Sequence, residues 1–573
     1  MTDENRNAAI WYVADSFDAS GKNQPVVGRT SAGEGFLKAF ANHGNLDKLY
    51  CFTDSANSHD AFRSQMNRLC PKPRKTSLIE WQEFHKLEKP GCLYVPDPVL
   101  EVHAWNRRSL ANQRGYSICG VTHTTASHQT IDAIGALLTA PTQSWDALIC
   151  TSKVVHATVA RLLDDLAHYL EERGAGRIDT RLQLPVIPLG IDTDQFESSP
   201  QSGQARQSFR QQLGAQEDDI VLLYLGRLSV NIKTNPWSML TSLEKASKRT
   251  GRKLHLVMAG WFQDNLNVNA FSEAIKILCP SINAVLMDGR QSKVRKYIWF
   301  AADIFVSLID NIQETFGISP LEAMATGLPV VVSDWNGYRD TVIDGETGFR
   351  IPTAFPMQGA GDELTIRYTS GLDSYETYLG HCSAATIIDE TACVDAFSRL
   401  IEDSDLRKTM GENGRRHVRA NFDWKSVIGC YQDLWEELGE RRKLDNESVP
   451  LRLGSPSSPL RQDPFRLFSE YPTALVDSET RLYPLADVGA EDLTRACHIS
   501  LFASARPLLL AENKCREILR IVEKKSVTMV GELEQRMKPD DKQRLYRSIA
   551  WLAKIGLIGL GNATNPGDSQ QSL

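Results

Sequence analysis

Two short stretches of this chain carry residue types and spacings suited to holding a phosphate. In Leu222-Leu-Tyr-Leu-Gly-Arg-Leu-Ser-Val-Asn-Ile-Lys233 an apolar run ends at Gly226-Arg227, and Lys233 follows. A guanidinium offers a planar fork of donors and an ammonium a point charge, a combination that matches a diphosphate. In Glu314-Thr-Phe-Gly-Ile-Ser-Pro-Leu-Glu-Ala-Met-Ala-Thr-Gly-Leu-Pro329 a glycine-containing loop feeds a helix. Ser319 reads as its N-cap, Pro320 as its first residue, Glu322 as the partner in a capping box, and Gly327 as its stop. Unpaired amides and the positive end of such a helix attract anions. Each stretch alone also has an ordinary reading: two solvated cations, and a helix capped as any helix is.

The elements that must position these residues follow a strand–helix alternation. Ile10–Ala14, Lys48–Phe52, Cys92–Val95, Ser117–Val121, Ala147–Cys150 and Val186–Pro188 read as strands, with helical patterns at Gly35–His43 and Val154–Glu172. A second series runs through Ile220–Tyr224, Leu254–Met258, Ala284–Met287, Ile304–Ser307 and Pro329–Val332. Short, wholly apolar strands alternating with helices indicate parallel sheets covered on both faces. Because parallel α/β sheets place ligands at the carboxyl ends of their strands, Arg227 and Lys233 are expected to project into a crevice.

The expected fold class is α/β: two Rossmann-like parallel-sheet domains facing across a cleft, plus a small, mainly helical C-terminal domain. The expected boundaries are 1–197 for the first domain and 205–404 for the second, with a polar hinge near Glu197–Gln204. Within the second, 354–386 is rich in Gly, Ser, Tyr and Thr without clear periodicity and reads as a surface insertion. Helices at 405–439 close the second domain, 440–464 reads as a linker, 465–560 as a helical module, and 561–573 as a disordered tail.

Composition agrees with this. The 573 residues are 42% hydrophobic and 24% charged, which suits several globular cores. Net charge is 64 − 71 = −7, so no overall basic field recruits nucleic acid or an anionic membrane. Eleven cysteines without a C-x-x-C pair suit a reducing compartment better than a disulfide framework or zinc site. The polar start and the short apolar runs carry neither a signal peptide nor a membrane span, so a cytoplasmic location is expected.

Taken together, these segments resemble glycosyltransferase family 4, retaining enzymes of the GT-B fold. The resemblance rests on Gly226-Arg-Leu with Lys233, the E-x7-E string from Glu314 to Glu322, Val186-Ile-Pro-Leu-Gly-Ile-Asp-Thr-Asp-Gln-Phe196, and Gly345-Glu-Thr-Gly348. Asp403–Leu438, with Phe422-Asp-Trp424 and Tyr431, resembles the family's closing helices, the last of which returns to the first domain. The resemblance spans roughly residues 8–438. It implies that Arg227, Lys233, Glu314 and His123 are catalytic. It further implies that Gly33, Gly35, Gly226, Arg290, Phe316, Gly317, Ile318, Ser319 and Glu322 bind the donor.

In that reading Gly33-Glu-Gly35 occupies the place of a glycine-rich loop between the first strand and first helix. His123, in Val121-Thr-His-Thr-Thr-Ala-Ser127, lies in the cleft by the donor sugar. Glu314 holds sugar hydroxyls, Glu322 reaches the ribose, and Arg290 sits in the base pocket. No metal or cofactor is implied, since fixed cations stabilise the leaving diphosphate and the nucleotide-diphosphate sugar is a co-substrate. The strings Asp192-Thr-Asp194 and Asp403-Ser-Asp405 do not read as metal sites. The acceptor is expected to be a glycan or a lipid-linked molecule, in polysaccharide or glycoconjugate biosynthesis, with peripheral contact at the inner membrane face allowed.

The C-terminal module resembles a winged helix in its run Cys515–Val522, Val527–Met537, Gln543–Ala553 and Lys-Ile-Gly-Leu-Ile558. Lys514–Lys554 holds 11 Lys or Arg against 6 Asp or Glu, a mild excess that favours a protein partner or self-association over nucleic acid. The alternatives are another GT-B activity, phosphorylase or nucleotide-sugar epimerase, and a regulatory protein built on a dead transferase fold.

Overall fold

The computed structural model describes residues 6–19, 28–452, 455–486 and 490–561. The chain forms two compact units, Met1–Ser458 and Pro459–Leu573. The first contains two six-stranded sheets whose strands are all parallel. In one lobe the strands are β1 (Ala9–Trp11), β2 (Leu49–Thr53), β3 (Thr76–Glu80), β4 (Cys92–Val95), β5 (Ser117–Val121) and β6 (Ala147–Ile149), ordered β3-β2-β1-β4-β5-β6. In the other they are β7 (Ile220–Leu225), β8 (Leu254–Gly260), β9 (Asn283–Asp288), β10 (Ile304–Ser307), β11 (Val330–Ser333) and β12 (Gly348–Ile351), ordered β12-β11-β10-β7-β8-β9. This is the expected pair of Rossmann-like domains, the GT-B arrangement, and each sheet reverses its strand order next to its first strand. A crevice opens at such a reversal.

The central strands are buried on both faces, which is why their sequences are continuously apolar. The edge strands β3 and β12 escaped the sequence reading because Thr-Ser-Leu-Ile-Glu and Gly-Phe-Arg-Ile carry the polar residues that a part-exposed edge tolerates. Val186–Pro188 is not a strand; it meets the sheet at a single bridge, Cys150 to Val186, because two prolines flank the run.

The helices that shape the cleft are, in chain order, α1 (Gly28–His43), α2 (His128–Ala136), α3 (Pro200–Leu213), α4 (Ile318–Thr326), α5 (Asp362–Thr369), α6 (Tyr375–Ala384), α7 (Ser404–Asn421) and α8 (Trp424–Leu444). The expected hinge at Glu197–Gln204 is shorter than that. Ser199 and Ser202 form a reciprocal capping box that starts α3 at Pro200, and Arg206 and Arg210 both bind Asp303 of the second lobe at 2.9 Å. Only 197–199 remains extended there. The chain crosses back at Phe422–Asp423, and the two crossings are hydrogen-bonded together: Ile191 N donates to Phe422 O at 2.8 Å and Trp424 N to Ile191 O at 3.0 Å.

Helix α8 belongs to the first lobe's core. Trp424, Tyr431, Trp435 and Leu438 pack with Phe36, Phe40 and Tyr94, and each such buried side chain contributes about 2 kcal/mol. Helix α7 stays with the second lobe through Met410 and Val418. The stretch read as a linker from 440 begins later, since α8 runs to Leu444, and its next residues lie along the first lobe. Arg114 donates to Asp445 O at 2.6 Å, Gln143 Nε2 to Ser448 O at 3.1 Å, and Arg108 Nε to Ser457 O at 2.9 Å.

The insertion is also more ordered than its composition suggested. Strands β13 (Thr353–Ala354) and β14 (Ile387–Ile388) pair antiparallel to close its neck, and α5 and α6 fill it. Ser374 caps α6, and Arg367 grips the buried Asp373 through two 2.8 Å bonds.

The second unit holds β15 (Arg481–Pro484), α9 (Ala490–His498), α10 (Glu512–Lys525), β16 (Thr528–Met529), α11 (Val530–Glu534), α12 (Lys542–Lys554) and β17 (Ile558–Gly561). Its three strands are antiparallel in the order β16-β15-β17. Where helices were expected at Cys515–Val522, Val527–Met537 and Gln543–Ala553, the chain forms α10, the short strand β16 with α11, and α12, and the middle strand of the sheet precedes them all. The tail from 562 lies outside the described residues.

Candidate active site

A cavity of about 1820 Å³ lies between the two lobes and is lined by the carboxyl ends of strands from both sheets. From the second lobe, β7 ends in Gly226-Arg227 and β8 in Gly260-Trp261, and both pairs line it. The Arg227 guanidinium lies over the Trp261 ring at 5.1 Å, which fixes its plane. Burial lowers the Arg227 pKa, with Glu376 and Tyr224 opposing, yet an arginine stays charged. Among the described residues no carboxylate lies within ion-pair distance of it, so its fork is available.

Helix α4 opens at Gly317, not at Ser319. Gly317 has φ 87°, and a Cβ there would fall 1.9 Å from the Tyr338 ring, so only glycine can make the turn. Its cap has no side-chain hydrogen bond, and the capping box expected between Ser319 and Glu322 is absent. Pro320 is tolerated as the third helical residue because the first amides of a helix have no intrahelical acceptor in any case. Phe316, Gly317, Ile318 and Ser319 all line the cavity, so the amides of this first turn border it. Glu322, released from capping, is half-buried in the cavity wall. Burial raises its pKa to about 7, with Arg295 pulling the other way.

Glu314 lines the cavity with its side chain mostly out of solvent and ion-paired with Lys233. Burial would raise its pKa, but Lys233 and the amides of Phe316 and Thr315 hold it below the usual range. The Lys233 ammonium has three donors, of which Glu314 takes one. The loop carrying Glu314 is braced on every side. Asn336 Nδ2 donates to Glu314 O at 2.6 Å, Trp335 Nε1 to Asn311 O at 3.0 Å, and Asn311 Nδ2 to Asn231 O at 2.6 Å.

Across the cleft, His123 lies just past β5, and its carbonyl accepts the hydroxyl of Thr315. Burial lowers its pKa to about 4, and the charge of Arg29 adds to this, so its ring is neutral at neutral pH. A neutral imidazole can both donate and accept a hydrogen bond to a sugar hydroxyl.

The structure thus brings Arg227, Lys233, Glu314, His123, Gly226, Arg290, Phe316, Gly317, Ile318, Ser319 and Glu322 to one cavity. Arg290 is at the rim and held by Asp288 through bonds of 2.9 and 3.0 Å. Gly33 and Gly35 are not part of it. Both lie inside α1, where a Cβ at Gly33 would meet Ser16 O at 2.0 Å and one at Gly35 the Trp424 ring nitrogen at 2.9 Å. They are glycines of close packing, and the cavity is met instead by Gly28, Arg29 and Ser31 at the start of α1. The two D-x-D strings are structural: Asp192 pairs with Lys38 at 2.6 Å, Asp194 with Lys425 at 3.4 Å, and Asp403 caps α7.

The sequence reading missed Trp261, Arg295, Arg29 and Tyr375, all of which line the cavity. Trp261 carried a usable signal, since it follows the end of β8 as Arg227 follows β7. Arg295 and Arg29 lie in helices without a distinguishing motif, and Tyr375 belongs to the insertion.

Residues 205–360 match the protein family described as glycosyl transferases group 1. The chain is 24% identical over 262 residues to the D-inositol 3-phosphate glycosyltransferase of Xylanimonas cellulosilytica, covering 45% of this chain and 52% of that one. It is 26% identical over 222 residues to the capsular polysaccharide biosynthesis glycosyltransferase CapM of Staphylococcus aureus, covering 39% and 45%. The chain spans about half the length of the curated relatives it matches. Among solved structures it is similar to Anabaena HepE in complex with UDP and glucose, at TM-score 0.47 and 15% identity, covering 76% of this chain and 100% of that one.

Proposed function

We propose that this chain is a retaining glycosyltransferase that moves a hexosyl group from a nucleotide-diphosphate sugar to a glycan or lipid-linked acceptor. The observation that carries the reading is the convergence of Arg227, Lys233 and the opening amides of α4 on one cavity between two parallel sheets. When the bond from the anomeric carbon to the diphosphate breaks, its electron pair goes to a phosphate oxygen. Preorganised cations and amides aimed at that oxygen lower the barrier. The incoming hydroxyl forms its bond on the same face, and its proton passes to the departing phosphate.

In this scheme Arg227 grips the diphosphate with its fork and Lys233 adds the two donors that Glu314 leaves free. Glu314 holds sugar hydroxyls, Glu322 accepts from the ribose, and neutral His123 steadies a hydroxyl from the opposite lobe. Arg290 stands where a base can reach it. The second unit is proposed to dock a protein or the acceptor rather than nucleic acid. Its Lys514, Lys525 and Lys542 are engaged by Asp541, Glu532 and Glu534, which leaves a thin cationic face for a phosphate backbone. Among the described residues no helix is long and apolar enough to cross a membrane.

The test is nucleotide release from UDP- and GDP-sugars with EDTA present. Release is expected from the wild type and is expected to fall by about 100-fold or more in Arg227→Ala and Glu314→Ala. Equal release by all three proteins would refute the assignment.

A further inference from the structure

We infer that the insertion at 353–388 is a strap reaching from the second lobe to the first, and that its Tyr375 is a specificity-determining residue that presents an aromatic face to a sugar acceptor while shutting out bulk water. This rests on the transferase reading and extends it to the acceptor side of the same cavity.

The strap's C-terminal half is anchored to the loops of the second lobe that carry Glu314, Arg227 and Lys233. Thr386 Oγ1 donates to Asp310 O at 3.0 Å, just upstream of the Glu314 loop. On α6, Gln263 Nε2 donates to Glu376 Oε1 at 3.0 Å, and Gly380 sits so close to Asn231 that a Cβ would fall 2.5 Å from its side-chain oxygen. Asn231 lies in the loop between Arg227 and Lys233, so α6 rides directly on the segment that carries both cations.

From that base the strap crosses the cleft. Tyr368 of α5 stacks on Tyr378 at 4.8 Å, and its ring centroid lies 3.9 Å from that of His128 in α2 of the first lobe. Tyr375 then enters the cavity wall beside His123, Thr124 and Ser127 of the first lobe. This wall offers hydroxyls, a neutral imidazole and a ring, with the Arg29 guanidinium near His123. Such a surface matches a sugar, whose C–H faces stack on aromatic rings and whose hydroxyls take the surrounding polar groups. It also covers the reacting carbon from solvent, and water is the competing acceptor at any glycosyl donor. In that side reaction the bond from the anomeric carbon to the diphosphate breaks, its electron pair stays on the phosphate oxygen, the water oxygen bonds to carbon, and the water proton goes to phosphate.

Hydrolysis of the donor with no acceptor added therefore reads the wall directly. The full chain, Tyr375→Ala, Tyr375→Phe and Tyr368→Ala are compared with UDP-glucose and GDP-glucose, following free glucose. Thermal stabilisation by UDP or GDP is measured in parallel. All four proteins should be stabilised equally by the nucleotide. Hydrolysis should rise about five-fold or more in Tyr375→Ala and in Tyr368→Ala, which loosens the strap, and stay within about two-fold in Tyr375→Phe, which keeps the ring. Unchanged or slower hydrolysis in both alanine variants, with nucleotide stabilisation retained, would overturn the proposal. If neither nucleotide stabilises the wild type, it is the transferase reading itself that fails. Should Tyr375→Ala alone lose its melting transition, Tyr368→Ala decides the matter by the same readout.

Discussion

Glu314 and Lys233 share a buried contact, so removing one side chain changes the chemistry of the other. With Lys233→Met, Glu314 loses its largest charge-stabilising partner, so its pKa rises towards what burial favours, with the amides of Phe316 and Thr315 still opposing. Nucleotide stabilisation and turnover should both fall. Glu314→Gln frees the ammonium, so nucleotide binding should persist while turnover drops by about 100-fold. Because the two act as a unit, the double variant should lose little more than the worse single one, which steady-state kinetics on the four proteins would show. Glu322 and Asp310 are the opposite case, each a carboxyl raised to about 7, mainly by burial. A folded acid with a raised pKa keeps its proton after the unfolded chain has lost it, so stability falls as pH rises from about 4.5 through about 7. Thermal melts from pH 5 to pH 8 should therefore decline. Glu322→Gln should flatten part of that decline and raise the melting temperature at pH 8 more than at pH 5.

At the scale of elements, the glycines separate into those that face a ligand and those that let elements touch. Gly317→Ala places a methyl group in the Tyr338 ring at a left-handed φ, and is expected to cost about 2 kcal/mol or more. Gly33→Ala pushes α1 off the Ser16 carbonyl. It should lower the melting temperature by several degrees, while the affinity for nucleoside diphosphate in the folded fraction stays the same. An equal melting temperature with lost affinity would instead restore Gly33 to the site. Helix α4 was legible as an element from its apolar stretch and its Gly327 stop. Its start was displaced by two residues because Ser-Pro is the commoner opening, and the contact with Tyr338 that forces Gly317 into the cap lies far along the chain.

For the whole molecule, the return of α8 makes the first lobe depend on residues that begin 424 − 149 = 275 positions beyond the end of its last strand. Trp424, Tyr431, Trp435 and Leu438 complete its aromatic core. A chain ending after Asn421 would expose that core and should be insoluble or aggregate on expression. A chain ending at Ser458 keeps the whole first unit, including the 445–458 segment along the first lobe, and should melt cooperatively and still be stabilised by nucleotide. Failure of the longer truncation would show that the two units depend on one another for folding.

The parallel sheets, the strand ends that bear Arg227 and Gly226, and the helix beside Glu314 were legible in the residues themselves. Apolar runs, turn residues and strand-end placement are local consequences of backbone geometry and burial. What only the tertiary structure decided is which charges meet. The Lys233–Glu314 pair, the neutral His123, the packing roles of Gly33 and Gly35, and the arrival of Tyr375 in the cavity wall all depend on contacts between distant segments. Those contacts form because burying apolar faces brings the elements together, and the side chains then take the partners that the folded surface leaves within reach.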